Sequence, residues 1–375
     1  MKERKILNST AEPSAGQLPV PEFHRCILYG AGNLGKRLAG LLPSAGIRPL
    51  GFLDRNKTRE CAGLPVATPE NAPEAWKELP VLIAVFNPGA GCGLRRIAGA
   101  LCGGGFHRII AFEHFFQAHP ELWPENYFWL TSPSFYCGCE DEIHAALDLF
   151  DDPFSRQLFQ AEMRFRQGGS WEDIPDAAPV ARQYFDPEIC PKKHFRCFAD
   201  IGAFTGDTLE VALGQGVRLD SGLAFEPDMA NFRQLCAFLD AHSRELPGIV
   251  AIPAGVGKAC CTISFSEGGG SSAKISESGP REVPIVSLDE VCPSMPIDFV
   301  KMDIEGAEAD ALSGMHRIIE KNLPVLAISV YHRPEDLFRI PLTLSRRYPG
   351  YRYALRLYGE HCLDTVLYAL PPQRK

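Results

Sequence analysis

Long apolar runs are missing from this chain. Its longest candidate for a buried strand, Val81-Leu82-Ile83-Ala84-Val85-Phe86, falls far short of the ~20 residues that a membrane-spanning helix needs, so no membrane span is expected. Basic charge is scarce too. Against 46 aspartates and glutamates stand 38 lysines and arginines, a net charge of −8 that speaks against a nucleic-acid partner. No apolar segment of the signal-peptide kind follows Met1-Lys2-Glu3-Arg4-Lys5, so the expected compartment is the cytoplasm. The thirteen cysteines are odd in number and scattered, and several (Cys26, Cys197) lie inside apolar runs, as reduced buried thiols do. Cys137-Gly138-Cys139 and Cys260-Cys261 have neither a second cysteine pair nor a histidine at zinc-site spacing, so no metal is expected. Repeats are absent, and Gly268-Gly269-Gly270-Ser271-Ser272 is the one low-complexity tract.

What remains is the composition of a chain that buries ordinary cores: 45% hydrophobic and 22% charged residues. A length of 375 residues favours two domains. Residues 1–22 read as a flexible N-terminus, and 23–112 as a small Rossmann-like unit of alternating strands and helices. Residues 113–195 form an aromatic-rich connector with helices near 140–150 and 154–167. Residues 196–375 form a larger α/β unit. Its strands are expected at 197–201, 222–226, 248–253, 297–302, 324–331, 351–358 and 364–370, with helices after 206, 227, 308 and 334. The turn Gly359-Glu360-His361-Cys362 is short enough to join the last two strands as a hairpin. The fold class is therefore α/β, with a mostly parallel sheet finished by an antiparallel hairpin.

The most informative run is Phe198-Ala199-Asp200-Ile201-Gly202-Ala203-Phe204-Thr205-Gly206-Asp207-Thr208, which reads as strand, glycine turn and helix start. A second strand then ends at Phe225-Glu226-Pro227, its carboxylate placed to accept hydrogen bonds from a ribose diol. In open parallel sheets, ligands sit beyond the carboxyl ends of the strands. Those ends here carry Asp200 to Thr208, Glu226, Gly255-Val256-Gly257, Asp303-Ile304-Glu305-Gly306 and Tyr331-His332. One such acid would merely cap a helix. The ordered set describes a nucleoside pocket.

With Asp-x-Gly-x-x-x-Gly-Asp-Thr over 200–208, Phe225-Glu226-Pro227, Val286-Ser287-Leu288-Asp289-Glu290, the block from Asp298 to Glu308, Tyr331-His332, Leu355-Arg356-Leu357-Tyr358 and Asp364-Thr365-Val366-Leu367-Tyr368-Ala369, the chain resembles FkbM-type methyltransferases over roughly residues 182–370. That resemblance implies a class I fold of seven strands, S-adenosylmethionine as cofactor, and methyl transfer to an oxygen of a sugar, glycan or related small metabolite. It places Asp200, Gly202, Ala203, Phe204, Gly206, Asp207, Thr208, Glu226 and Pro227 around the methionine and ribose. The adenine is expected near Gly255 and Val256 or against Ser272. Methyl transfer needs alignment and a proton acceptor. His332 is the favoured base, because imidazole titrates near neutrality; Asp303 (also placed at the cofactor) and Glu305 are the other candidates.

The first unit carries a second motif, Gly30-x-Gly32-Asn33-Leu34-Gly35, with Asp54 nineteen residues after Gly35. This is a dinucleotide-type fingerprint in a strand–turn–helix context. The unit is too short for a second mononucleotide half, and is similar to small Rossmann-like domains attached to some sugar-modifying enzymes. A nucleotide-sugar or related phosphate ligand, a packing or homodimer role, and NAD chemistry are the readings open to it. At the level of the whole chain, three functions stand: an adenosylmethionine-dependent methyltransferase, an NAD(P)-dependent oxidoreductase, and a non-catalytic nucleotide-binding protein.

Overall fold

The computed structural model of the protein describes residues 22–56, 59–89, 91–123, 127–265 and 281–372. The expected flexible stretch 1–22, except for its last residue, and the Gly268–Ser272 tract with Ser272 lie outside the described residues. Two compact units are present. Unit 1 comprises residues 1–141, 158–176 and 359–363; unit 2 comprises 142–157, 177–358 and 364–375.

Unit 1 is built on β1 (Arg25–Tyr29), β2 (Arg48–Leu53), β3 (Glu60–Cys61), β4 (Leu64–Ala67), β5 (Val81–Ile83) and β6 (Ile109–Ile110), in the order β3-β4-β2-β1-β5-β6. Apart from the antiparallel β3, the pairs are parallel. The glycine turn after β1 leads into the helix Asn33–Leu41. Gly35 is required there for packing, since a Cβ on it would stand 2.0 Å from the Gly30 carbonyl oxygen. The short pair β3 and β4 was not expected. Each strand is too brief to show an alternating pattern.

Unit 2 adds β7 (His194–Phe195), β8 (Phe198–Ile201), β9 (Arg218–Leu219), β10 (Gly222–Phe225), β11 (Ile249–Ile252), β12 (Gly255–Val256), β13 (Cys261–Phe265), β14 (Arg281–Val286), β15 (Phe299–Met302), β16 (Val325–Ser329), β17 (Arg352–Leu357) and β18 (Thr365–Leu370). Seven of them form one sheet, β11-β10-β8-β15-β16-β18-β17. The first five run parallel, and β17 and β18 close the edge as an antiparallel hairpin. All seven strands stand where the sequence placed them. Their interior is mainly apolar because helices cover a parallel sheet on both faces; every residue of β8, β15 and β16 is buried, Asp200 and Lys301 included. Beneath the sheet, Phe299 meets Phe185 at 5.1 Å and Phe195 at 4.7 Å between ring centroids.

Two small sheets, β12-β14-β13 and β7-β9, complete the unit. Chain order places the start of the large sheet in its middle. From β8 the chain passes outward to β10 and β11, then returns across β8 to β15 and β16. The crossover point lies between β8 and β15, where an open α/β sheet offers a crevice at its carboxyl edge.

Candidate active site

Four adjacent strands, β10, β8, β15 and β16, bring their carboxyl ends to one edge of unit 2. The residues that follow them are Glu226, Gly202 to Thr208, Asp303 to Glu308, and Tyr331-His332. Neighbouring strands lie only ~4.8 Å apart, so these segments form a continuous rim. Each segment is fixed by the next. The Gly202 and Ala203 amides donate to the Phe225 carbonyl, and the Asp303 amide donates to that of Ile201.

The glycine turn takes its shape from backbone requirements. Gly202 (φ +84°), Phe204 (φ +45°) and Gly206 (φ +99°) all sit in the left-handed region. At Gly202 a Cβ would stand 2.0 Å from the Asp303 carbonyl oxygen, and at Gly206 it would stand 2.7 Å from the Phe238 ring. Both glycines therefore serve chain packing as well as the turn itself. At its tip, Phe204 is 41% exposed. The helix Asp207–Gly214 begins here, with Asp207 exposed at its start and Thr208 buried behind it.

Glu226 is held by the same turn. One oxygen accepts the Phe204 amide at 2.9 Å and the other accepts the Asp228 amide at 2.8 Å. Burial nonetheless raises its pKa, against those amide bonds. Pro227 follows it into the helix Met229–Ala241.

Deeper in, Asp200 faces its register partner Lys301 across the β8–β15 pair, Oδ1 to Nζ at 3.3 Å, and both side chains are almost wholly buried. The Lys301 ammonium also donates to the Gly202 carbonyl and lies 5.3 Å from the Tyr184 ring centroid. Lys301 stays charged, because Asp200, Asp303 and Asp207 outweigh its burial. For Asp200, burial together with repulsion from Asp207 and Asp303 exceeds the pull of Lys301, and its carboxyl is pushed up to about 7. Among the described residues, the Asp200 side chain has its ion pair with Lys301 as its contact, and neither of its oxygens makes a hydrogen bond of good geometry, nor does the buried Thr208 Oγ1.

The third group centres on His332, whose side chain is 2% exposed. Its Nδ1 lies 2.8 Å from Glu308 Oε1, which also accepts the Ile304 amide at 2.9 Å. Its Nε2 faces Asp303 Oδ1 at 3.3 Å and Glu305 Oε2 at 3.8 Å. Tyr184 donates to Asp303 Oδ2 at 2.8 Å, and Tyr331 reaches Asp303 Oδ1 at 3.5 Å. Burial alone would lower the His332 pKa; Glu308, Asp303 and Glu305 override it and push the ring up to about 10. Burial also acts to raise Asp303, yet His332 and Lys301 hold it below the usual carboxylate range. Glu305 is raised to about 7 by desolvation and by the acids beside it. Its side chain is 38% exposed, so it is the member of this group most open to solvent.

The sequence-selected residues of unit 2 that are described thus gather on one rim, with two reservations. Asp200 stands behind the turn and does not line an open surface, being 0% exposed. Gly255 and Val256 form a strand of the small sheet, where a Cβ on Gly255 would meet the Ile285 side chain at 2.6 Å, so packing accounts for that glycine. Tyr184 went unnoticed in the sequence. It lies in a loop with no periodic pattern, and its link to Asp303 spans 119 positions. In unit 1, Asp54 accepts the amides of Ala31 and Asn56, both at 2.8 Å. Its carboxylate therefore pins the glycine turn. Gly32 is the glycine of that turn whose missing side chain leaves open space.

Residues 199–353 match the sequence profile of the methyltransferase FkbM domain. No curated protein matches the chain. Among solved structures, it is similar to methyltransferase FkbM from Methylobacillus flagellatus KT, with a TM-score of 0.76 and 21% identity over 92% of this chain and 90% of that one. A methyltransferase from Geobacter sulfurreducens aligns at a TM-score of 0.33, with 17% identity over 62% of this chain and 96% of that one. Fibrillarin from Aeropyrum pernix, solved with natively bound S-adenosyl-L-methionine, aligns at 0.30, with 14% identity over 48% and 67%. The first likeness shows a shared fold, and the other two are too remote to carry an argument. The stretch that matches the methyltransferase FkbM domain, residues 199–353, lies wholly within unit 2.

Proposed function

We infer that the protein transfers a methyl group from S-adenosylmethionine to a hydroxyl of a sugar, glycan or related small metabolite. The observation that carries this reading is the joining of Glu226, the glycine turn and the Asp303–His332 group along four adjacent strand ends. The polar groups suit such a cofactor. Among the described residues the buried Thr208 Oγ1 makes no hydrogen bond, and Glu226 retains acceptor capacity beyond its two amide bonds. Glu226 would hold the ribose hydroxyls, while the turn 202–208 would flank the methionine portion. When bound, the sulfonium supplies an activated methyl group whose leaving sulfur needs no protonation.

The chain's own residues must then orient the acceptor oxygen and receive its proton. As the acceptor oxygen takes the methyl group, its hydroxyl proton would pass to a protein carboxylate. Both nitrogens of His332 face carboxylates, so the ring is better placed to orient those acids than to collect a proton. Glu305, more open to solvent than Asp303 or Glu308, is the better acceptor on geometry. Alignment supplies the remaining rate, since a well-held pair of reactants gains several kcal/mol (~7–11 at most) from proximity.

Calorimetric titration with S-adenosylmethionine is the first test. Micromolar binding by the wild type, weakened by ~1–3 kcal/mol in Glu226→Ala, is expected from the loss of a buried acceptor. An unchanged affinity in that variant removes Glu226 from the ribose site. Failure of the wild type to bind at all removes the function.

A further inference from the structure

We propose that Asp186 is a positioning residue for the chemistry at Asp303: with Tyr358 and Tyr368 it fixes the turn that carries Tyr184, whose hydroxyl holds Asp303. The device rests on the methyltransferase reading for its use, and on the packing of unit 2 for its existence. It also gives a task to two sequence motifs that the rim leaves idle. Tyr358 closes Leu355-Arg356-Leu357-Tyr358, and Tyr368 lies within the run Asp364 to Ala369.

The turn needs holding. Tyr184 sits at φ +65°, and the Phe185 amide donates across it to the Gln183 carbonyl at 2.8 Å. A three-residue turn with a positive central φ is the rare, strained member of its class. Among the described residues, 183–190 belong to no helix or strand, so side chains must fix this path. Three consecutive side chains do so in three directions. The Tyr184 hydroxyl donates to Asp303 Oδ2 at 2.8 Å, the Phe185 ring stacks on Phe299 at 5.1 Å, and Asp186 turns to the C-terminal hairpin.

Asp186 supplies the anchor. It is 1% exposed, its Oδ1 accepts the Glu188 amide at 3.0 Å, and its Oδ2 accepts the Tyr358 hydroxyl at 2.9 Å. Arg182 stands 3.9 Å from Oδ1, beyond hydrogen-bond reach, so the amide and the hydroxyl hold this carboxylate. A carboxylate so enclosed is costly unless its lone pairs are filled, and what the chain gains for that cost is direction. Tyr358 has one hydroxyl proton. Since it goes to Asp186, Tyr368 must give its own to Tyr358 across their contact of 2.7 Å. Burial raises the Tyr368 pKa, and the Tyr184 backbone amide, which faces the Tyr368 oxygen, works the other way. The donors therefore run head to tail, from the Tyr184 amide through Tyr368 and Tyr358 to Asp186, two residues beyond the start. Tyr368 stands within β18 and Tyr358 directly after β17, both buried. The turn is thus tied on both sides of Tyr184 to the edge of the sheet, which leaves its hydroxyl one direction, toward Asp303.

The test reads Tyr184 directly, by nuclear magnetic resonance of the full chain labelled with tyrosine carrying 13C at Cζ. The 10 tyrosines give a spectrum sparse enough to resolve. Tyr184→Phe assigns the Tyr184 signal, and Asp303→Ala shows its position without the bond. In Tyr358→Phe and in Asp186→Ala the signal is expected to move toward that position. In Asp186→Asn, which keeps one acceptor oxygen, it is expected to move less. Tyr353→Phe is the control, because this buried tyrosine of β17 has no hydrogen bond at its hydroxyl among the described residues; there the Tyr184 signal is expected to stay in place. Circular dichroism melting confirms that each variant is folded. A Tyr184 signal unmoved in folded Tyr358→Phe and Asp186→Ala overturns the proposal, and so does equal movement in Tyr353→Phe, which marks a general loosening of the hairpin. Adenosylmethionine binding is measured on the same samples by calorimetry and is expected to match that of the wild type. Cofactor binding with Tyr184 unmoved sinks the positioning role and leaves the methyltransferase; movement of Tyr184 in a chain that binds no cofactor does the reverse.

Discussion

Tyr184 shows how much of the site depends on a residue outside any motif. Its hydroxyl donates to Asp303 Oδ2, its ring underlies the Lys301 ammonium, and its own backbone sits at φ +65°. A non-glycine residue held there costs ~1–3 kcal/mol, which the surrounding packing must offset. Asp303 is therefore aimed by an arm from the loop that precedes the sheet, as well as by its own strand. Tyr184→Phe keeps the ring and removes that bond. The expected result is unchanged adenosylmethionine affinity with kcat reduced about tenfold, equivalent to ~1.4 kcal/mol of lost alignment. Steady-state kinetics at saturating cofactor decide it, and wild-type turnover would show that Asp303 needs no such support. The same scale explains Lys301. Inside a strand it reads as an anomaly. With Asp200 opposite it in register, it is one half of a buried pair under the glycine turn.

At the scale of elements, the sequence disclosed the parallel strands of the large sheet because each is a mainly apolar run, interrupted only by Asp200 in β8, Lys301 in β15 and Ser329 at the end of β16. The elements that escaped are short or irregular. β12 is a glycine and a valine, and β14 carries Pro284 in its middle, which demotes a strand by its pattern alone. The acids were legible as a set but not in their tasks. Asp289, part of the family-like motif, proves to be a remote helix cap. Its oxygens accept the Arg317 amide at 2.8 Å and the Ile318 amide at 3.0 Å, at the start of the helix His316–Asn322. Capping from 28 positions away leaves no local signature. Asp289→Ala is expected to cost ~1–2 kcal/mol of stability, as loss of a cap does, with cofactor affinity untouched. Thermal melting and calorimetry on one preparation separate the two effects; a weakened affinity would return Asp289 to the site.

For the whole molecule, the two glycine turns invite two nucleotides, and the structure treats them differently. In unit 2 the acid after the second strand is held by the turn, beside the buried Thr208 hydroxyl, which has no hydrogen bond among the described residues. In unit 1 the corresponding acid, Asp54, is bound to amides on the turn and on its own loop, and the third glycine is explained by helix packing. A fingerprint records backbone need before it records a ligand, which is why the sequence could not rank the pair. Ligand binding stabilises whatever it touches by RT ln(1 + [L]/Kd), about 2.7 kcal/mol at a hundredfold excess over Kd. Amide hydrogen exchange resolves where that stabilisation falls. With adenosylmethionine in excess, slowed exchange is expected at 202–208, 226–228 and 303–308. With NADH or NADPH at the same concentration, no slowing is expected at 30–35. Protection of the first turn by a nicotinamide cofactor, with none at the second by adenosylmethionine, would move the chemistry of this chain into unit 1 and make the rim of unit 2 a relic of packing.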